Sequence, residues 1–576
     1  MIKRILFLLA FICLLSSVGY TQQIIFSELL SRPTDSSITV QMFFADSVQV
    51  SADFGTSSGI YTGHTTWQTF PDSVATALLI SGLQPNTQYY YRMRCRHAGD
   101  TATITRPEFT FHTQRPPGST FSFDIEADPH DDSNSDTALY RQCLKNQLAD
   151  SPDFMVDLGD FLMTDKLQNS SRQVPYDTIP YRCKIFRDFY STSGHSVPLY
   201  IALGNHEGEE GWYLNGTANS IPVWDAQVRK QYFINPEPDN FYTGDTTNYQ
   251  YIGHRQTYYA WQWGDALFIV LDPFWYTNTK PDSVLSTSWQ WTLGLTQYTW
   301  LKNTLENSTA KYKFVFSHQI VGGGVAGQGR GGVEEANYYE WGGLNPDSTQ
   351  GFATNRPGWY KPIKDLLTEN KVNIFFHGHD HLYDEQEKDC LIYQETPQPS
   401  LPNFNNTSAT AYGYLTGDIL NNSGHLRVTV EPNGVKVEYV RVYLPADTNS
   451  TRHNGDVSAT YFIGAVNCYD SLSTGTPTIW NNAYADELVY PNPFMKQTTI
   501  EFSVDQAEHI TLAIYDDKGK MIRTLMAGNL ITPGKYDVIW DGNDGNGSSL
   551  ASGTYLYSIR GEHSAQRSGK MVLLRE

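Results

Sequence analysis

Cysteine is scarce in this chain, with six in 576 residues. None stands in the segments that carry the candidate chemistry, which excludes thiolate metal ligands there. Charge is also sparse, at 18% of residues with a net of −20. No long basic run breaks that acidity, so a stable nucleic-acid partner is excluded as a structural role. Long apolar runs are missing apart from Ile5 to Leu15. That run is too short for a transmembrane span, so no membrane anchor is expected. The glycine-rich segment Gly322 to Gly332 lacks the Lys-Ser/Thr ending of a nucleotide P-loop. Aromatic residues are abundant at 14%, which is a globular composition and excludes a disordered chain.

Five short segments stand out: Asp128-Pro129-His130, Gly159-Asp160, Gly204-Asn205-His206-Glu207, Ser317-His318 and Gly378-His379-Asp380-His381. Each follows an apolar run that reads as a buried strand, namely Phe121 to Ala127, Phe154 to Leu158, Leu199 to Leu203, Lys313 to Phe316 and Val372 to Phe376. Strand ends are where an α/β scaffold gathers residues from distant parts of a chain. Carboxylate, amide and imidazole ligands suit Mn, Fe, Zn and similar ions.

The ordered set resembles the calcineurin-like metallophosphoesterases, whose pattern is D-x-H, G-D, G-N-H-[DE], H, G-H-x-H. One such motif alone is weak; five in order, each after a strand, are specific. The resemblance implies that Asp128, His130 and His381 hold one metal, that Asn205, His318 and His379 hold a second, and that Asp160 bridges both. It implies that His206 is the catalytic histidine, binding the phosphoryl group or protonating the leaving alkoxide. The reaction it implies is attack of a metal-bridging hydroxide on a phosphate ester. A phosphomonoesterase is the first reading. The alternatives are a phosphodiesterase or nucleotidase of the same superfamily, or a non-catalytic surface protein that binds phosphate or phosphorylated glycans. The cofactors expected are two divalent or trivalent ions of Fe, Mn or Zn.

The chain divides into several units. Residues 1–21 read as a signal peptide, with Lys3 and Arg4 before the apolar run and small residues after it. Export permits disulfides. Loss of Cys13 with the leader leaves Cys95, Cys143, Cys183, Cys390 and Cys468, an odd number, so at least one thiol stays free within a chain. Residues 22–116 read as an all-β sandwich. The segment Leu83 to Tyr91 resembles the corner of a fibronectin type III module, with Tyr89 as the tyrosine tied to the backbone. Such a module ahead of this domain is similar to the layout of purple acid phosphatases. It reads first as a rigid spacer, second as a set of loops shaping the site entrance. Residues 117–470 are the catalytic domain, for which the resemblance implies a four-layer α/β/β/α sandwich. The tyrosine that colours purple acid phosphatases is replaced here by Met163, since the second block runs Gly159-Asp160 to Met163.

Residues 471–485 are Ser/Thr/Gly/Asn-rich and read as a linker. Residues 486–576 read as a second all-β, immunoglobulin-like sandwich. Its phrases Tyr490-Pro491-Asn492-Pro493-Phe494 and Ser552-Gly553-Thr554-Tyr555 resemble sorting domains of type IX secretion, so a secretion machinery is an expected partner and the location expected is secreted or cell-surface. The Asp/Asn-rich stretch 541–547 reads as a tight hairpin turn. Within the catalytic domain Arg330 is a candidate phosphate contact from the glycine-rich segment, beside the substrate-binding candidates Asn205 and His206. His377, Asp380 and Glu207 read as groups that orient ligands, and Asp131-Asp132 as solvated loop charge.

Overall fold

The structure, a computed structural model, describes residues 24–72, 75–281, 285–322, 329–405, 407–464, 488–492, 494–504, 507–516, 520–545, 547–561 and 567–575. The expected leader at 1–21, the linker at 471–485 and residues 323–328 of the glycine-rich segment lie outside the described residues.

The N-terminal strands form two sheets. Ile24–Ser31, Ser37–Phe44 and Thr76–Ser81 make the first. Val48–Gly55 and Gln88–His97 are the centre of the second, six-stranded one. The alternating Ile38, Val40 and Met42 point into the core between them, beside Val50 and Tyr91. The hydroxyl of Tyr89 accepts the Gln84 N–H at 2.9 Å, pinning the turn that precedes its strand. The intervening residues Thr39, Gln41 and Phe43 are buried as well. They face the central domain: Phe43 stacks on Tyr232 at 4.6 Å, and Arg187 donates to the carbonyls of Ser27 and Gln41.

The central region holds two larger sheets. In the six-stranded sheet, Phe121–Glu126 lies beside Phe154–Asp157, and that strand beside Leu199–Ile201, all parallel. Gly424–Glu431 pairs antiparallel on the other side. In the seven-stranded sheet, Ala266–Val270, Tyr312–Phe316 and Ile374–His377 run parallel in sequence order. Strands buried on both faces read as near-continuous apolar runs, as Ala266–Val270 does, whereas Phe121–Glu126 interleaves Ser122, Asp124 and Glu126 with its apolar residues. The facing sides of the two sheets share one aromatic core, in which Phe123 meets Phe268 edge-on at 5.0 Å and Trp261 stacks on Phe268 at 4.9 Å. Each such ring contributes about 1.5–3 kcal/mol by burial.

The outward faces pack on helices. Thr137–Asp150 is capped by Asp136, whose Oδ1 accepts from Ala138 N at 2.8 Å and Leu139 N at 3.1 Å. Thr178–Tyr190, Gly294–Glu306 and Ile363–Glu369 contribute Phe186, Leu301 and Leu366 to a second apolar cluster with Met155, Val315 and Phe375 of the sheets. Pro362 stands at the start of the last helix, as its fixed φ favours. The parallel strands of each sheet thus open their C-terminal ends onto loops along one edge, and all five motifs are in those loops.

The C-terminal strands form a three-stranded and a four-stranded sheet around Ile500, Phe502, Leu512, Ile514 and Trp540. One expectation fails here. Gly534–Trp540 pairs with Thr498–Val504, whereas Gly553–Arg560 belongs to the other sheet. The Asp/Asn-rich stretch between them crosses from sheet to sheet, so it is not a tight hairpin. Its Asp541 carboxylate accepts from Arg523 at 2.6 Å. Among the described cysteines, Cys95, Cys143 and Cys183 are free and buried, and Cys390 is disulfide-bonded.

Candidate metal centre

Three of the five motif loops are bent by left-handed backbone. Asp128, His130, Asp160, His379 and His381 all have φ between 54° and 80°. This region is costly for residues with a Cβ, and such residues cluster where function over-determines the backbone. Two glycines make the close approach of loops feasible. A Cβ on Gly159 would sit 2.2 Å from Gly204 N, and one on Gly204 would sit 2.2 Å from Asp160 Oδ1. The loops are then laced together: Asp128 N–H donates to Gly159 O at 2.9 Å, His379 N–H to Asp128 Oδ2 at 2.8 Å, and His206 N–H to Asp160 Oδ1 at 2.8 Å.

The candidate ligands gather in two groups. Asp128, His130 and His381 offer ligand atoms within 4.8 Å of one another, and so do Asp160, His318 and His379. His318 Nε2 also lies 3.1 Å from Asn205 Oδ1 and 3.2 Å from His379 Nδ1. Asp160 Oδ2 stands between the groups, 3.8 Å from His130 Nε2 and 3.2 Å from His318 Nε2. Carboxylate oxygens, an amide oxygen and imidazole nitrogens form a donor set suited to divalent cations. Asp128 Oδ1 and His130 Nε2 are buried with no hydrogen-bond partner, as atoms reserved for a cation would be. The residues therefore fit a metal pair.

Electrostatics reflect the crowding of acids and imidazoles. Burial raises the Asp128 carboxyl, but the charges of His318 and His381 and the close approach of the His381 and His130 rings, at 3.3 and 3.7 Å, hold it well below the usual range. Burial lowers His130, yet the neighbouring carboxylates of Asp128 and Asp132 lift it to about 10. His318 is likewise lifted to about 9, against burial, by Asp160 and Asp128. In a bare chain the imidazoles are the counter-charges of the buried carboxylates.

The surrounding residues hold this set in place. Glu207 is fully buried, and its carboxylate accepts the backbone N–H groups of Asp160, Phe161, Leu162 and Gly204. It orients a loop rather than a ligand side chain. Asp380 accepts from Gly331 N at 2.8 Å and Tyr414 Oη at 2.9 Å. His377 points Nδ1 at Glu395 at 2.6 Å and stacks on Phe375.

Three features escaped the sequence. Asp132 is exposed, as a loop charge would be, but its Oδ2 also lies 3.3 Å from His130 Nδ1. Asp131 pairs with Arg182 at 2.7 Å, and buried Arg182 also donates to the carbonyls of His130, Phe161 and Leu162. Asp165 Oδ1 stands 2.7 Å from His206 Nδ1. No local pattern marks Asp165 or Arg182, because each acts across a loop contact. The pair Asp131-Asp132 was visible, but its partners were not.

The centre opens into a cleft of about 370 Å³, lined in part by Asn205, His206, Trp212, Trp291 and Arg330. Among the described residues its lining lies between 165 and 379, with none from the N-terminal sandwich. Arg330 is anchored at the rim: Nη1 donates to Asp380 Oδ1 at 2.7 Å and to His379 O at 2.9 Å, and the guanidinium lies 4.2 Å over Tyr412.

Residues 121–383 match the family described as calcineurin-like phosphoesterase, and residues 494–564 match the FlgD Ig-like domain. Among solved structures, that of PhoD is similar at 15% identity, covering 76% of this chain and 90% of its own, with a TM-score of 0.54. A putative 5'-nucleotidase from Staphylococcus aureus is 12% identical over 72% of this chain and 70% of its own, with a TM-score of 0.27. No curated protein matches.

Proposed function

We propose that this chain, which carries a calcineurin-like phosphoesterase domain and is a metal-dependent phosphoric ester hydrolase, is a secreted binuclear phosphomonoesterase. One observation carries the reading: Asp160 Oδ2 lies within 3.8 Å of a histidine from each ligand group, where one carboxylate can serve two cations. Asp128, His130 and His381 would hold one ion, and Asn205, His318 and His379 the other. When bound, such a pair supplies Lewis acidity to a water and to the phosphoryl oxygens.

The chain's own residues do the rest. His206 stands at the cleft with Nε2 3.9 Å from Asp160 Oδ2, placed to donate a hydrogen bond to the phosphoryl group or a proton to the leaving oxygen. Asn205 shares the cleft lining with it and positions the ester. Arg330 adds positive charge at the rim together with Lys166 and Lys280. A dianionic monoester gains more from three nearby cations than a monoanionic diester does, which favours the monoesterase over a diesterase or nucleotidase. A phosphate-binding protein without turnover would have no use for a histidine held beside a bridging carboxylate.

The finer domain reading is part of the proposal. The central sheets and helices form a four-layer α/β/β/α sandwich. The N-terminal sandwich is a fibronectin type III-like spacer, supported by the Tyr89 hydroxyl bond. The C-terminal sandwich is an address for type IX secretion, supported by its immunoglobulin-like match. The test is turnover of a panel of mono- and diesters by stripped protein reloaded with Mn, Fe, Zn or Mg. Turnover of diesters in preference to monoesters overturns the substrate class; no turnover with any ion overturns the enzyme.

A further inference from the structure

The sheet face beneath the helix Thr137–Asp150 is unusual in carrying three buried acids: Asp124, Glu126 and Asp157. Their neighbours Phe123, Ile125 and Val156 point the other way, into the aromatic core. Two of the acids are satisfied. Glu126 accepts from Tyr140 Oη at 2.8 Å and Gln147 Nε2 at 3.0 Å. Asp157 accepts from Gly159 N at 2.7 Å and Tyr190 Oη at 2.5 Å. Asp124 is fully buried, and neither of its oxygens has a hydrogen-bond partner.

What lies beside Asp124 is a set of metal-ligand atoms. Asp124, Asp150 and His425 offer theirs within 4.8 Å of one another. His425 Nε2 is 2.8 Å from Asp150 Oδ2 and 3.9 Å from Asp124 Oδ2. Metal bonds of about 2.0–2.2 Å span ligand separations of this size. The other ring nitrogen is provided for: His425 Nδ1 lies 3.6 Å from Cys143 Sγ. Without an ion Nε2 hydrogen-bonds Asp150 Oδ2 at 2.8 Å; with Nδ1–H donating to the sulfur instead, the Nε2 lone pair faces the two carboxylates and is open to a cation, as a ligating histidine requires. Arg427 Nη1 holds the second oxygen of Asp150 at 2.7 Å, fixing that carboxylate.

We infer that Asp124, Asp150 and His425 form a further metal site, separate from the catalytic centre, which takes a zinc-like divalent ion and ties the end of the helix Thr137–Asp150 to the central strands. A proton on Asp124 is the competing way to remove its charge. It fits less well, because a protonated carboxyl needs an acceptor for its O–H and no hydrogen bond reaches either oxygen. The three ligands come from the strand Phe121–Glu126, the helix terminus and the strand Gly424–Glu431, so the ion would cross-link elements that are far apart in sequence. The strand Phe121–Glu126 leads directly into the Asp128 loop, which makes the site a brace for the catalytic edge and no part of the chemistry.

The experiment is zinc stoichiometry on the full chain, stripped by chelator and reloaded, compared with Asp124→Asn and His425→Gln. Each variant is expected to hold one equivalent less than the parent while retaining ester turnover. Asp160→Asn, which disrupts only the catalytic pair, is expected to keep the equivalent at Asp124, so the two sites fail independently. Equal stoichiometry in parent and Asp124→Asn overturns the site. If a variant does not fold, anomalous scattering at the zinc edge from the parent decides: a peak among the three side chains supports the site, and its absence overturns it.

Discussion

Asp165 Oδ1 lies 2.7 Å from Nδ1 of His206, and the opposite nitrogen of that ring faces the cleft, 3.9 Å from Asp160 Oδ2. The pair works as one unit, in which the carboxylate fixes the ring's tautomer and direction. His206→Ala is expected to keep its metals and lose about 10²–10⁴-fold in rate on alkyl phosphates. The loss should shrink for nitrophenyl esters, whose leaving group needs no proton. Asp165→Asn should lower the same rate, and the double variant should be no worse than His206→Ala, because the two act together. Additive losses in steady-state kinetics would dissociate them.

Asp160→Asn replaces a carboxylate placed between both ligand groups with a neutral amide. Metal content by mass spectrometry should fall, and turnover should be almost abolished while the protein stays folded by circular dichroism. A full metal complement with full rate would remove Asp160 from the bridging position.

Asp132→Ala takes away the carboxylate that faces His130 Nδ1 at 3.3 Å. Groups of this kind are worth about 10–100-fold in metal affinity. A competition titration with a chelating dye should show a loss of that size; unchanged affinity would leave Asp132 as loop charge alone.

Glu207→Gln places an amide where four backbone N–H groups converge on a carboxylate. An NH₂ cannot accept them, so at least one buried donor loses its partner at about 1–3 kcal/mol. Urea denaturation should show lower stability by that amount, with the slope unchanged.

The metal-loaded protein should lack a strong visible charge-transfer band. Met163 occupies the place of the colour-giving tyrosine, is buried, and has a thioether in place of a phenol. An intense band in the visible spectrum would point to another tyrosine on the metal.

The five strand-to-loop motifs were legible because each part of the signal is local. An apolar run fixes a buried strand, and the turn after it carries its polar residues within a few positions. The helices Gly294–Glu306 and Ile363–Glu369 carry local signals as well, in the spacing of their apolar residues and in Pro362 at the start of the second. What could not be read were groups acting across the fold. Asp165 reaches His206 over 41 positions and Arg182 reaches His130 over 52. The second buried face of Ser37–Phe44 was hidden too, because a Thr and a Gln look solvent-facing until a neighbouring domain covers them. The stretch 541–547 misled because its turn residues suit a hairpin, while the pairing of its flanking strands is decided elsewhere.

By itself the sequence determined the order of strands, the candidate ligands and their chemistry, since side-chain type and period are written residue by residue. Only the tertiary structure decided which of those residues share a space. Parallel pairing brings strand ends from residues 126 to 377 to one edge, and left-handed loop backbone turns Asp128, Asp160 and His379 toward one another. The same packing leaves Asp124 buried beside Asp150 and His425. Such proximity is a property of closed chains: a hydrogen bond or a ligand set forms between atoms a few ångströms apart, whatever their separation in sequence, and nothing local records that separation.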